Sequence, residues 1–357
     1  MTGNNRQRLA IIDRPLGDIM EKVLVTGATG FIGLHCVQQL LDKGYHVRGT
    51  VRSMARADEV KTAMKNAGAD ANRLELVEAD LLDDAGWDEA VAGCDYVMHV
   101  ASPFIVGVPK HEDELIRPAV EGTERVLQAA MRAGVKKAVV TSSCAAINAT
   151  YDGKTSRTEE DWSDAAHPST PAYYKSKTLA ERRAWELVND QAGDAKMQLA
   201  VINPAGVVGP MLSDDIGTSN VFLKQIISGE VPGCPKIHLG FVDVRDVATA
   251  HVLALESDAA NGQRFIINER ELWFKDVAQL MRDNGYGKAP TRLLPSFLVK
   301  MLGLFNPELR QLAGFIGKEN YNPNDKARTV LGWQPRNAEQ GLLDAAKQLV
   351  DMGVANI

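Results

Sequence analysis

The stretch Val25-Thr26-Gly27-Ala28-Thr29-Gly30-Phe31-Ile32-Gly33, VTGATGFIG, stands where a short apolar run stops and a helical pattern begins. Before it, KVLVT (Lys22–Thr26) has the β-branched density of a buried strand. After it, Ile32, Cys36, Val37, Leu40 and Leu41 recur at helical spacing. Gly27 allows a tight turn out of the strand, Gly30 leaves room for a pyrophosphate against the backbone, and Gly33 lets the helix pack close to the sheet. The new helix offers unpaired N–H groups and a partial positive charge to phosphates. Three glycines alone also fit a turn without a ligand. Their position between the first strand and the first helix of a βαβ pattern points to dinucleotide binding, with Thr29, Phe31 and Ile32 in the same lining.

The pattern repeats outward from this turn. HVRGTV (His46–Val51), LELVEA (Leu74–Ala79), DYVMHV (Asp95–Val100), KKAVVT (Lys136–Thr141) and QLAVIN (Gln198–Asn203) read as further buried strands separated by helical segments. Such alternation predicts an α/β Rossmann fold, a doubly wound parallel sheet with crossover helices on both faces. Ligands of these sheets bind at the carboxyl ends of the strands, and each motif below falls at one. After Asn203 the rhythm weakens: residues 205–240 are rich in Gly, Pro and Ser, FVDVRDVATAHVLALE resumes a strand and helix, and RFIIN adds a strand. From 271 the chain reads as mostly helical, broken by Pro290, Pro295, Pro307 and Pro323. The expected organisation is a dinucleotide-binding domain over 21–204 and 241–270. A smaller substrate-binding lobe is expected from 205–240 and 271–357.

Residues 1–20 are polar, broken by Pro15 and Gly17, and lack the apolar core of a signal peptide. They read as an extension or leader, with Met20 a plausible second start. With 45% hydrophobic and 24% charged residues and a net charge of −6, the composition is that of a soluble globular protein. The absence of a basic run argues against nucleic acid or an anionic membrane as partner. No apolar run approaches the roughly 20 residues of a membrane span. Cys36, Cys94, Cys144 and Cys234 lie far apart, without a metal-ligand or disulfide pattern, so no metal is expected and a reducing cytoplasm is the expected setting.

An acidic residue about 20 positions beyond the glycines would hold the ribose of NAD. The second strand instead ends in VRS, which puts Arg52 where a guanidinium can pair with a 2′-phosphate, and NADPH is favoured over NADH. Arg56 carries a weaker form of the same argument, and a solvated surface arginine is the alternative for both. Asp80, with Leu81 beside it, ends the third strand, where its carboxylate can accept from an adenine amino group. HVASP (His99–Pro103) ends the fourth, and its small residues let a cofactor lie flat. Tyr173 and Lys177 in YYKSK stand four apart in a helical segment and therefore share a face. An ammonium there lowers the pKa of a phenol toward a useful range. Ser143 in VVTSSCAAIN faces the same cleft from the end of the fifth strand, although a serine there also serves to cap a turn. Tyr174 offers a competing register, but its fourth successor is Thr178.

Together TGATGFIG, TSSxxxxN, YxxSKTLAE and NPxxVVGP resemble the extended short-chain dehydrogenase/reductase superfamily, and within it the dihydroflavonol-4-reductase-like branch. That branch also holds cinnamoyl-CoA reductases and microbial carbonyl and aldehyde reductases. The resemblance runs from about Lys22 to about Gly353. It implies NADPH-dependent reduction of a small-molecule carbonyl, with Ser143 as catalytic serine, Tyr173 as proton donor and Lys177 as the lysine that also bonds the nicotinamide ribose. It further implies cofactor contacts from Val100, Ala101 and Ser102, from Pro204, Val207 and Gly209, and from Ser219. Arg52 matches the family's 2′-phosphate arginine, and Asn148 an asparagine that contacts substrate in the flavonoid enzymes.

Two departures narrow the substrate. Gly240 stands where the flavonoid reductases carry a glutamine, which speaks against a hydroxylated flavonoid ring. PAYYKSK replaces the NWYCYGK of the cinnamoyl-CoA reductases, which speaks against a CoA thioester. Two rivals use overlapping features. A nucleotide-sugar epimerase or dehydratase would favour an acid near position 52, and a non-catalytic dinucleotide sensor has no need of the serine, tyrosine and lysine. Oligomeric state is not encoded in any of these motifs.

Overall fold

A computed structural model describes residues 21–102, 109–150, 152–193, 195–302, 304 and 314–356. The leader expected over 1–20 and Pro103 of the HVASP stretch lie outside the described residues. Seven parallel strands form the main sheet: β1 (Lys22–Thr26), β2 (His46–Val51), β3 (Leu74–Glu78), β4 (Tyr96–His99), β5 (Lys137–Thr141), β6 (Gln198–Pro204) and β9 (Gln263–Ile267). Their order is β3-β2-β1-β4-β5-β6-β9, so the strand order reverses between β1 and β4. This is the Rossmann arrangement expected, and the crevice beyond that reversal is where such sheets take ligands.

Alternation along each strand fixes the two layers. In β1, Val23 and Val25 point to one face and Leu24 to the other, all fully buried. The first face is covered by α1 (Phe31–Asp42), α2 (Ala57–Asn66) and α7 (Val244–Glu256) through Leu34, Val37, Val60, Met64 and Val247. The second is covered by α3 (Trp87–Val91), α4 (Asp113–Arg132) and α5 (Ala172–Asn189) through Trp87, Val126, Leu127 and Val188. Each such aliphatic side chain contributes about 1.5–3 kcal/mol on burial. Burial on both faces is why β1, β4, β5 and β6 read as near-continuous apolar runs, whereas edge strand β3 stays partly exposed.

A second sheet joins β7 (Gly206–Val208), β8 (His238–Asp243) and β10 (Arg270–Trp273) in the order β10-β8-β7. Around it lie α6 (Thr218–Ile227), α8 (Phe274–Asp283), α9 (Ser296–Leu302) and α11 (Ala338–Asp351). Phe241, Leu223, Phe274 and Leu342 form much of its core. The short helix α10 (Asp325–Val330) returns to the main sheet instead. Ala327, Leu331 and Trp333 join the core beneath α1 and α7, and the Trp333 indole donates to the Asp246 carbonyl at 2.9 Å. Buried Asp243 caps α7 by accepting from the Arg245 amide at 2.8 Å, and the Arg245 guanidinium reaches Asp344 of α11 at 2.8 Å. All four cysteines are buried as free thiols. Among the described residues no helix is long and apolar enough to cross a membrane.

Candidate active site

The glycine turn at the end of β1 is built as its spacing implies. Gly27 has φ +70°, and a Cβ there would meet Ala101 at 3.0 Å. A Cβ on Gly33 would lie 2.1 Å from the Gly27 carbonyl oxygen, so helix and turn touch through bare backbone. Gly30 differs: its Cβ would find the Gly27 oxygen at 3.3 Å and then only Asp215 Oδ2 at 4.0 Å. The Gly30 amide donates to the Gly27 carbonyl at 3.0 Å, and no side chain caps α1. Its first N–H groups therefore lack a side-chain acceptor, the condition for holding an anion. Thr29 and Ile32 are half-buried beside them, and Phe31 packs inward. The start of α6, which carries half-buried Ser219, adjoins this turn: a Cβ on Gly217 would lie 2.6 Å from the Phe31 ring.

Arg52 is exposed beyond β2 and forms no ion pair among the described residues. Arg56 is already engaged, its guanidinium forking onto Glu59 at 2.7 and 3.1 Å. Of the two, only Arg52 is uncommitted. Asp80 accepts from the Leu82 amide at 3.0 Å and so shapes its own turn as well as lining the sheet edge. Leu81 packs against Gly122 of α4, where a Cβ would meet it at 2.9 Å.

At the end of β4, Val100, Ala101 and Ser102 are half-buried. The Thr26 hydroxyl accepts from the Ala101 amide at 3.0 Å and lies 2.9 Å from His99 Nδ1. The Thr123 hydroxyl donates to the Ala119 carbonyl, so it accepts from His99 Nε2–H at 3.4 Å. Burial, aided by the Lys177 charge, pulls His99 down to about 3. The ring is therefore neutral and its Nδ1 accepts from Thr26. This buried histidine fixes the loop that bears Ser102.

Ser143, Tyr173 and Lys177 converge on the cleft beside that loop. Ser143 accepts from the Ala145 amide at 3.1 Å, so it does cap a turn, and its hydroxyl also bonds the Tyr173 oxygen. Lys177 donates to Ser102 Oγ at 2.9 Å, and its ammonium lies 5.9 Å from the centre of the Tyr173 ring. Burial pushes the Tyr173 phenol up, while the bond from Ser143 draws it down. The shared helix face foreseen for Tyr173 and Lys177 is present. The direct lowering of the phenol by the ammonium is not: Lys177 is turned to Ser102, and burial outweighs it. Burial also pulls Lys177 itself down to about 8, against an upward pull from Glu181.

Sequence reading missed the support beneath these groups. Glu181 is 1% exposed and accepts from Ser142 Oγ at 2.5 Å, Asn203 Nδ2 at 2.8 Å, Arg264 Nε at 2.5 Å and Trp185 Nε1 at 3.3 Å. Arg264 in turn lies over the Trp162 ring at 3.7 Å. The legible signal was the continuation of the 173, 177 spacing to 181. The partners on β6 and β9 carry no local signal.

Past the end of β6, Pro204 presents its carbonyl 3.5 Å from Ser143 Oγ, and half-buried Val207 follows in β7. Gly209 has φ +126°. Asn148 Nδ2 meets Asn322 Oδ1 at 3.4 Å. Asn268, at the end of β9, donates to Glu271 at 2.8 Å and to the Asn322 carbonyl at 3.0 Å. Its Oδ1 lies 2.7 Å from where a Gly240 Cβ would stand. The missing side chain at 240 thus leaves no empty space, because Asn268 fills it. Phe315 stacks on Tyr174 at 5.3 Å, which occupies the competing tyrosine and leaves Tyr173 at the cleft. Among the described residues no group of His, Cys, Asp or Glu is arranged to hold a metal ion.

The profile of the NAD dependent epimerase/dehydratase family matches residues 23–268. A cinnamoyl-CoA reductase of Medicago truncatula is 38% identical over 270 residues, 73% of this chain and 80% of its own length. A putative NADPH-dependent methylglyoxal reductase of Candida albicans is 33% identical over 349 residues, 92% of this chain and 98% of its own. Among solved structures, yeast methylglyoxal/isovaleraldehyde reductase Gre2 complexed with NADPH superposes with a TM-score of 0.79 at 28% identity. The match covers 94% of this chain and all of that one. The resemblance read from the motifs is borne out.

Proposed function

The chain belongs to the NAD dependent epimerase/dehydratase family, and from that premise we propose that it reduces a ketone or aldehyde carbonyl with NADPH, Tyr173 acting as proton donor. It is an NAD(P)H-dependent oxidoreductase, as its reductase relatives are. The observation that carries the finer reading is the hydrogen bond between Ser143 and Tyr173 beside the Lys177 ammonium.

The residues present fit NADPH. The uncapped start of α1 and the bare backbone at Gly30 suit the diphosphate, and unpaired Arg52 suits the 2′-phosphate. When bound, this cofactor supplies a hydride to the carbonyl carbon. The chain's own groups manage the oxygen. Tyr173 gives its phenolic proton to that oxygen as it becomes an alcohol, and its raised pKa keeps the proton in place until then. Ser143 turns its hydroxyl from Tyr173 to the same oxygen and stabilises the charge that develops there. Lys177, held by Ser102 at the cofactor side of the cleft, would bond the nicotinamide ribose and keep a positive charge beside the Tyr173 ring.

A dihydroflavonol is disfavoured because Asn268 fills the room beside Gly240, and the sequence around Tyr173 disfavours a CoA thioester. The test is NADPH oxidation against aldehydes, diketones, keto esters, dihydroflavonols and a cinnamoyl-CoA thioester. Turnover is expected with the first three classes. Tyr173→Phe should lose about 100-fold or more in kcat with NADPH affinity retained. Wild-type turnover in that variant overturns the assignment.

A further inference from the structure

Residues 173, 177 and 181 form one stripe of α5, spaced four apart. The role of the first two is proposed above; the third, Glu181, is a buried carboxylate with no part in that chemistry. Its anchors come from three adjacent strands: Ser142 follows β5, Asn203 lies in β6 and Arg264 in β9. Lys177 and Glu181 line a single small cavity between β4, β5, α4 and α5. Several groups face the lysine there: His99 from β4, Thr123 from α4, Thr141 and Ser142 from the end of β5, and Tyr173 from its own helix. His99 is neutral, so Glu181 is the one anion among them. Arg264, from β9, faces the carboxylate from its far side.

We propose that Glu181 is the positioning residue for Lys177: clamped to the sheet by Ser142, Asn203 and Arg264, its carboxylate holds the lysine charged and turned toward Ser102 and the cofactor side of the cleft. The inference rests on the role given to Lys177 above. A buried lysine without a nearby anion sheds its proton readily. Burial already draws Lys177 down to about 8, and Glu181 supplies the opposing pull. Without that carboxylate the amine becomes neutral within the working pH range.

The experiment compares wild type with Glu181→Gln and Glu181→Asp. Glu181→Gln leaves Arg264 buried without its anion, so the double variant Glu181→Gln/Arg264→Met removes both charges together. Two readouts are followed. One is the pH dependence of Lys177 acetylation by acetic anhydride, read by peptide mass spectrometry, which needs no turnover. The other is the pH profile of kcat and KM in NADPH-dependent reduction. The glutamine variants should titrate Lys177 at least about one pH unit lower. They should lose the alkaline limb of kcat by the same shift, with KM changing less, and Glu181→Asp should move both back toward wild type. An unmoved Lys177 titration in the folded double variant overturns the inference and leaves the reductase reading standing. Full activity of Tyr173→Phe, with the titration shifted as expected, overturns the reductase reading alone.

Discussion

Two of the three glycines in the first turn are expected to respond oppositely to the same added methyl group. A Cβ at Gly33 would lie 2.1 Å from the Gly27 carbonyl oxygen and 3.0 Å from its carbon. A carbon–oxygen contact settles at about 3.3 Å or more, so α1 and the turn must separate by about 1.2 Å. Overpacking of that kind costs about 1–3 kcal/mol. With an unfolding entropy of about 2.1 cal/mol/K per residue over 357 residues, Gly33→Ala should lower Tm by about 1–4 °C. At Gly30 the backbone is extended, φ −82° and ψ 161°, and the nearest atom to a Cβ is 3.3 Å away. Gly30→Ala should therefore melt within about 1 °C of wild type, since no large clash arises. Its methyl group would stand where the diphosphate is proposed to approach, so NADPH affinity should fall about tenfold, roughly 1.4 kcal/mol. Thermal melting and an NADPH fluorescence titration on both variants give the four numbers. Gly33→Ala melting as wild type does, or Gly30→Ala binding NADPH unchanged, would rule out these roles for the two glycines.

Arg52→Ala should weaken NADPH by at least about tenfold and leave NADH nearly unchanged, because only the former carries the 2′-phosphate; equal loss for both cofactors rules out that role. Three buried histidines set the acid limit of stability, since burial pulls His35 and His251 down to about 4 and His99 to about 3. The unfolded chain binds these protons near pH 6.5, so the stability present above that pH is lost as pH falls toward 4, at up to about 1.4 kcal/mol per histidine per pH unit. A Tm that stays level between pH 7 and pH 5 would contradict this. Gly240→Gln should lose about 1–3 kcal/mol through collision with Asn268 Oδ1, and adding Asn268→Gly should recover most of it. Denaturant unfolding of the single and double variants decides, and failure of the second change to rescue the first removes Asn268 as the cause.

The main sheet was legible because parallel strands covered on both faces must be apolar over their whole length. β1 and β2 fall on the same residues as the runs that announced them, and β3 to β6 differ by a residue at their ends. The glycine turn was legible for a similar reason, since close backbone approach admits one residue type. Order and spacing sufficed to bring Ser143, Tyr173 and Lys177 to one place. What escaped was whatever depends on partners distant in the chain. Glu181 reads as one more charge on a charged helix until Arg264, 83 residues on, is seen against it. Asn268 reads as a strand-end asparagine until it fills the room beside Gly240. Spacing on α5 sets Lys177 near Tyr173 but does not say where its ammonium points. The structure turns the ammonium to Ser102, which no spacing rule foretells.

The chain passes back and forth between its two sheets: β6 to β7, β8 to α7, β9 to β10, then α10 and Trp333 back before α11 leaves once more. This weaving limits what recombination between relatives can exchange. A single crossover after Asn203 transplants the edge strand β9, helix α7 and the Trp333 anchor along with the small sheet. A chimera of that kind must therefore re-form the packing of α7 and Trp333 on one face of the main sheet. Grafting the small sheet alone takes three separate inserts, around β7–β8, β10–α9 and α11, with the Arg245–Asp344 contact matched across the last. If the proposed substrate side is right, point changes around Gly240, Asn268 and Asn148 disturb fewer of these contacts than swapping the whole small sheet.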